Sequence, residues 1–193
     1  MRRLLLALML CATASRAAPP FMVVPIYPTG EMQASVSPAL TPVVGRFVMP
    51  TTILGATKLA VNITTGYGAG KKVGFAIYPD LDGAPPIFTS GSVSGSGTPP
   101  ETAGALSVTG LAPDGLTGGV TYRALFCASG AAGAYAGPKW TSGTGFAALQ
   151  NAFVVSVGSA TNPCDADATP PATTGALIAN TAFVPPFLLV SVE

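Results

Sequence analysis

The chain has 193 residues, with nine Lys and Arg against eight Asp and Glu, a formal net charge of +1 and no histidine. Charged residues are 9% of the whole and hydrophobic ones 49%. Acid–base, nucleophilic and metal-centred chemistry draw mainly on His, Asp, Glu, Lys and Cys, so enzyme mechanisms have little to work with, and no catalytic residue and no cofactor are expected. The densest basic spot, Lys71-Lys72, is too small to grip a phosphate backbone, and nucleic acid is excluded as a partner on that ground.

Met1-Arg2-Arg3 is a short basic start, followed by an apolar run from Leu4 to Ala12 and then small residues, with Ser15 and Ala17 at the −3 and −1 positions of a cleavage site. This is the three-part layout of a secretory signal peptide over residues 1–17, cleaved near Ala17. Ala12-Thr13-Ala14 offers an earlier site, and a buried N-terminal helix is the structural alternative. The apolar run is far shorter than the ~20 residues a membrane-spanning helix needs, so no membrane span is expected. Cleavage would remove Arg2, Arg3 and Arg16, three positive charges, and carry the net charge from +1 to −2. It would also remove Cys11 and leave Cys127 and Cys164. In an oxidising compartment an even pair is expected to form one disulfide; two separate buried thiols are the alternative.

Residues 18–42 carry six prolines (19, 20, 25, 28, 38 and 42) and read as an extended arm. Beyond it, 23 Gly and 19 Pro across the chain leave few places for long helices, while period-two alternation recurs. Leu59, Val61 and Ile63 alternate with Lys58, Asn62 and Thr64. Val73, Phe75 and Ile77 share one face of the next run. Leu106 and Val108 alternate with Ser107 and Thr109, and Val120, Tyr122, Ala124 and Phe126 with Thr121, Arg123, Leu125 and Cys127. Further strands are expected at 43–49, 87–93, 153–157 and 187–192. The connector 66–72 reads as a hairpin loop, 79–83 as an Asp/Gly turn, 91–104 and 128–145 as surface loops, and 146–152 as one short helix. Residues 43–193 are thus expected to form one all-β domain, a two-sheet β-sandwich of jelly-roll or Greek-key type.

Phe47-Val48-Met49-Pro50, Leu59–Gly66, Gly74-Phe75-Ala76-Ile77-Tyr78, Gly119–Leu125 and the closing Pro185-Pro186-Phe187-Leu188-Leu189-Val190 together resemble β-sandwich proteins of tailed-phage virions. The likeness is one of pattern over about residues 43–192. The export signal and the expected disulfide depart from virion proteins and favour a bacterial extracellular relative. The resemblance implies a structural or surface-recognition role.

The glycine-rich segment 66–72 lacks the Gly-Lys-Ser/Thr closure of a phosphate loop. Asp80 with Asp82-Gly83, and Asp165 with Asp167, are paired carboxylates without the further oxygens a hard cation needs, so they read as turn caps rather than metal sites. Without histidine, a hydroxyl nucleophile has no ready base. Binding is easier to support. Tyr135 and Trp140, in a Gly/Ala-rich stretch, and Tyr67, at a loop tip, are candidate ligand-binding aromatics, and Trp140 folding back as a lid on the sandwich is the packing alternative. Asn62-Ile63-Thr64 is a glycosylation sequon. The leading expectation is a secreted, non-enzymatic β-sandwich with protein partners or self-assembly; the second is a carbohydrate-binding module gripping glycans with Trp140 and Tyr135.

Overall fold

Leu59, Val61 and Ile63 occupy alternate positions of one run, and Val73, Phe75 and Ile77 of the next, so each run can bury one face of an extended strand. In the computed structural model all six side chains lie in one continuous core. The structure describes residues 22–23, 32–49, 52–55, 58–109, 115–138, 157–160, 162–179 and 188–191. Among them run β1 (Met22–Val23), β2 (Met32–Val36), β3 (Val43–Val48), β4 (Lys58–Thr65), β5 (Lys72–Pro79), β6 (Phe88–Thr89) and β7 (Val93–Ser94). The rest are β8 (Gly104–Val108), β9 (Thr121–Ala128), β10 (Ala134–Pro138), β11 (Val157–Ala160), β12 (Leu177–Ala179) and β13 (Leu188–Ser191). The described residues contain no helix.

These strands make two antiparallel sheets. Sheet A has the order β1-β13-β4-β10-β2, with β8 also on β4; sheet B has the order β12-β11-β3-β9-β5-β6, with β7 also on β5. Strand β4 organises sheet A. Strand β8 pairs with its residues 59–63, while β13 takes 58–61 and β10 takes Ile63 and Thr65. Since β8 and β13 share residues 59–61, they lie on opposite edges of β4. From β3 onward the described strands change sheet at seven of ten connections, as Greek-key and jelly-roll chains often do. The fold is the expected all-β sandwich.

Between the sheets, Phe47, Leu59, Val61, Phe75, Phe126 and Tyr135 are among the buried side chains of the main core. Burying an aromatic or branched aliphatic side chain of this kind stabilises by roughly 1.5–3 kcal/mol. Phe126 lies 4.6 Å, centroid to centroid, from Tyr135 and 6.2 Å from Tyr67, so one aromatic cluster bridges strands of both sheets.

Several local expectations are corrected. Residues 66–71 do not close a hairpin: β4 and β5 belong to different sheets, because their apolar faces meet the same core from opposite sides. The stretch after Ala128 is not one long loop, since residues 134–138 form β10 between β2 and β4. The 87–93 strand is two short ones, β6 and β7, on the same edge of β5. Val120 is 42% exposed rather than inward; it sits just before β9, where its carbonyl accepts from the Met49 amide. Residues 91–104 are tied down rather than loose. The carbonyls of Pro100 and Glu101 accept from the amides of Tyr67 and Gly68, and the Glu101 carboxylate accepts from Gly70 and Gly97. Parts of the proline-rich segment pair with their own chain, β1 with β13 and β2 with β10. The expected signal peptide, the 146–152 helix and Trp140 lie outside the described residues.

The outward face of sheet B is covered as well. Alternation places Ala76 and Tyr78 of β5, Val44 of β3, and Leu125 and Cys127 of β9 away from the main core, yet all are buried, together with Cys164 and Ala168. Residues 162–176 cross this face as a strap. Such two-sided burial is what turns a strand into a near-continuous apolar run, and Ala124-Leu125-Phe126-Cys127-Ala128 is one.

Candidate functional site

Among the described residues the strap is fastened by a disulfide, hydrogen bonds and an ion pair. A disulfide joins Cys164 to Cys127 of β9 across 37 residues of sequence, as expected. The Tyr78 hydroxyl donates to the Pro171 carbonyl at 2.6 Å, and the Ser92 hydroxyl to the Asp167 carbonyl at 2.6 Å. Lys72 pairs with Asp167 at 2.9 Å, and the Asn162 side-chain amide donates to the Thr173 carbonyl at 2.7 Å. Gly74 sits directly beneath: a Cβ there would stand 2.2 Å from the Ala168 carbonyl oxygen and 2.6 Å from Pro170 Cδ. Only a residue without a side chain lets the strap lie this close.

At one end of the strap lies a charge cluster. Asp80, in the turn after β5, receives Arg46 of β3 on one carboxylate oxygen and Arg123 Nε of β9 on the other, the second at 2.9 Å. Arg123 Nη1 also reaches Asp82 at 2.8 Å, the Thr174 hydroxyl at 3.1 Å and the Gly175 carbonyl at 3.3 Å. The side chains of Arg123 and Asp80 are 7% and 12% exposed, and that of Asp82 is 59% exposed. Burial alone would raise the Asp80 pKa. The hydrogen bonds and charges of Arg46 and Arg123 outweigh it and hold the carboxyl below its ordinary value. Two cations on two carboxylates leave the cluster neutral, and the anchored Asp80 is a poor proton donor.

The other described carboxylates are similarly engaged. Backbone amides of Gly97 and Gly70 lower the pKa of Glu101. The Thr169 amide and hydroxyl lead in lowering that of Asp165, whose Oδ1 also accepts from the Asp167 amide. Asp165 caps its turn as the sequence suggested, whereas Asp80 and Asp82 hold arginines and Asp167 pairs with Lys72. Among the described residues no three His, Cys, Asp or Glu side chains gather as a metal-holding group.

The candidate aromatics divide. Tyr135, on β10, is 0% exposed and packed on Phe126; burial, the larger effect, raises its phenol pKa, while a hydrogen bond with Ser35 lowers it. Tyr67 is 2% exposed, its ring lying over Gly133, and burial followed by the neighbouring Tyr135 raises its pKa. Its hydroxyl is buried without a hydrogen-bond partner. Neither ring offers a face to a ligand: both fill the gap between sheets, where an alternating strand and a crossover loop direct them. Trp140 is not among the described residues, so the structure brings no two of these three to a common surface. The Arg46–Asp80–Arg123 cluster has no signal in the sequence beyond an Asp in the turn after a strand. Asn62 of the sequon is exposed on β4.

What remains open to partners is backbone edge and nearly uncharged sheet surface. The outer face of β4 and β8 carries Lys58, Ala60, Asn62, Thr64, Ala105 and Ser107, its one charge at the start of β4. No helix among the described residues is long and apolar enough to cross a membrane. No family model, no curated protein and no solved structure matches the chain.

Proposed function

We propose that this protein is an exported, non-enzymatic β-sandwich that serves as a structural or surface-attachment subunit and works by contact with other protein chains. One observation carries the reading. Every described carboxylate side chain is engaged in holding the fold: Asp80 and Asp82 on arginines, Glu101 and Asp165 on backbone amides, Asp167 on Lys72. A chain with no histidine and its described acids committed in this way has shape and edges, rather than proton transfer, to offer a partner.

Export is supported by the signal-like N-terminus and by the buried Cys127–Cys164 bridge, a bond that persists in oxidising compartments. The pattern likeness to virion β-sandwiches points toward assembly. Expression in a bacterial host with the chain's own N-terminus tests the proposal. The protein is expected outside the cytoplasm, cut near Ala17 and in particles larger than one chain. Retention in the cytoplasm, uncut and with both cysteines reduced, would remove the export half of the reading.

A further inference from the structure

Among the described residues, strand β8 is a sheet edge without the usual protection. Edges avoid pairing with other chains through charges, prolines, bulges or very short length. Gly104-Ala105-Leu106-Ser107-Val108 has no charge and no proline, and its five-residue register against β4 runs from Ile63 to Leu59 without a shift. Among the described residues β4 is its only strand partner. The other outer strands differ. β1, β6, β7 and β12 have two or three residues, and β2, five residues long and also uncharged, borders β10 rather than the central β4.

We propose that β8 pairs antiparallel with β8 of a second copy of this chain, joining the two A sheets into one continuous sheet. This rests on the assembly reading above and names its interface. The occupant follows from the chemistry of the strand. Ala105 and Ser107 are exposed on the outer face, small and uncharged, while Leu106 and Val108 face inward at the margin of the core, Val108 only half-buried. A two-fold axis at Leu106 sets Ala105 of one copy against Ser107 of the other and Leu106 against Leu106. Every side chain then keeps its face, which a pairing shifted by one residue would not allow. No like charges meet, and each free backbone donor finds an acceptor on a strand of the same length. On β8 itself a charged partner strand would find no counter-charge.

Native mass spectrometry of the full chain over a concentration series provides the test. The wild type is expected to show two-copy species. The A105K/S107K double variant puts lysines directly opposite each other across the axis, and is expected to weaken association about tenfold. Its melting temperature should stay unchanged, since both side chains are exposed. T89K/S94K, which adds the same charge on exposed positions of β6 and β7, should associate like the wild type. A wild type that associates while A105K/S107K associates equally well would overturn β8 as the interface and leave the assembly reading standing. A wild type that stays monomeric throughout would overturn both. Should the lysine pair unfold the chain, mixed A105C and S107C chains decide under mild oxidation. A cross-linked heterodimer supports the pairing, and its absence refutes it.

Discussion

Arg46 and Arg123 stand directly opposite each other in the β3–β9 pair, two like charges at a position where like charges repel. Asp80 resolves the conflict by giving one carboxylate oxygen to each. Replacing Asp80 with Asn should therefore cost roughly 3 kcal/mol, the scale for removing one partner of a largely buried ion network. Adding Arg46→Gln to that variant should recover part of the loss, because one of the two facing cations is gone. Asp82→Asn, on a side chain 59% exposed, should cost well under about 1 kcal/mol after solvent screening. Urea unfolding of the wild type, Asp80→Asn, Arg46→Gln and their double variant as a double-mutant cycle, with Asp82→Asn alongside, measures each term.

The same carboxylate sets a pH dependence. The folded pKa of Asp80 is lowered, so the folded state binds its proton less readily than the unfolded chain. Its stabilisation is fully present above the unfolded carboxylate pKa of about 3.9 and is lost as pH falls through the lower folded value. Glu101 and Asp165 are shifted in the same direction. Stability should be flat near neutrality and fall below about pH 4, and Asp80→Asn should flatten that fall without abolishing it. Thermal melts between pH 2 and 7 check this.

The Cys127–Cys164 bridge closes a loop that contains β10, β11 and the start of the strap. Replacing both cysteines with serine should cost about 3–4 kcal/mol on the chain-entropy model. Hydrogen exchange should then rise first in residues 162–176, while β4 and β5 keep their protection. Equal loosening of the whole sandwich would mean that the strap is not a separate layer.

Gly74→Ala tests the strap from below. The new methyl would meet the Ala168 carbonyl oxygen and Pro170, both parts of a fixed strap. A loss of about 1–3 kcal/mol is expected, the range for overpacking. Exchange at residues 165–172 should rise with the bridge intact.

Much of this architecture is legible in the residues. The alternation of Leu59, Val61 and Ile63, and of Val73, Phe75 and Ile77, marks two strands facing one core, and the cysteine pair marks one bridge. Less visible is which sheet a strand joins, because apolar alternation reports a buried face and not a pairing partner; 66–72 looks like a hairpin for that reason. Strand β10 hides because Ala134, Ala136 and Gly137 are too small to show a pattern around Tyr135. The charge cluster is illegible because Arg46, Asp80 and Arg123 are brought together only by the β3–β9–β5 order.

Sedimentation velocity of the processed protein, across a wide concentration range at neutral pH, tests the central claim of function by contact most directly. The proposed role predicts species larger than one chain that grow with concentration, and a β8 interface predicts that they weaken about tenfold in A105K/S107K. A single boundary at the one-chain value up to the highest concentration would contradict self-assembly.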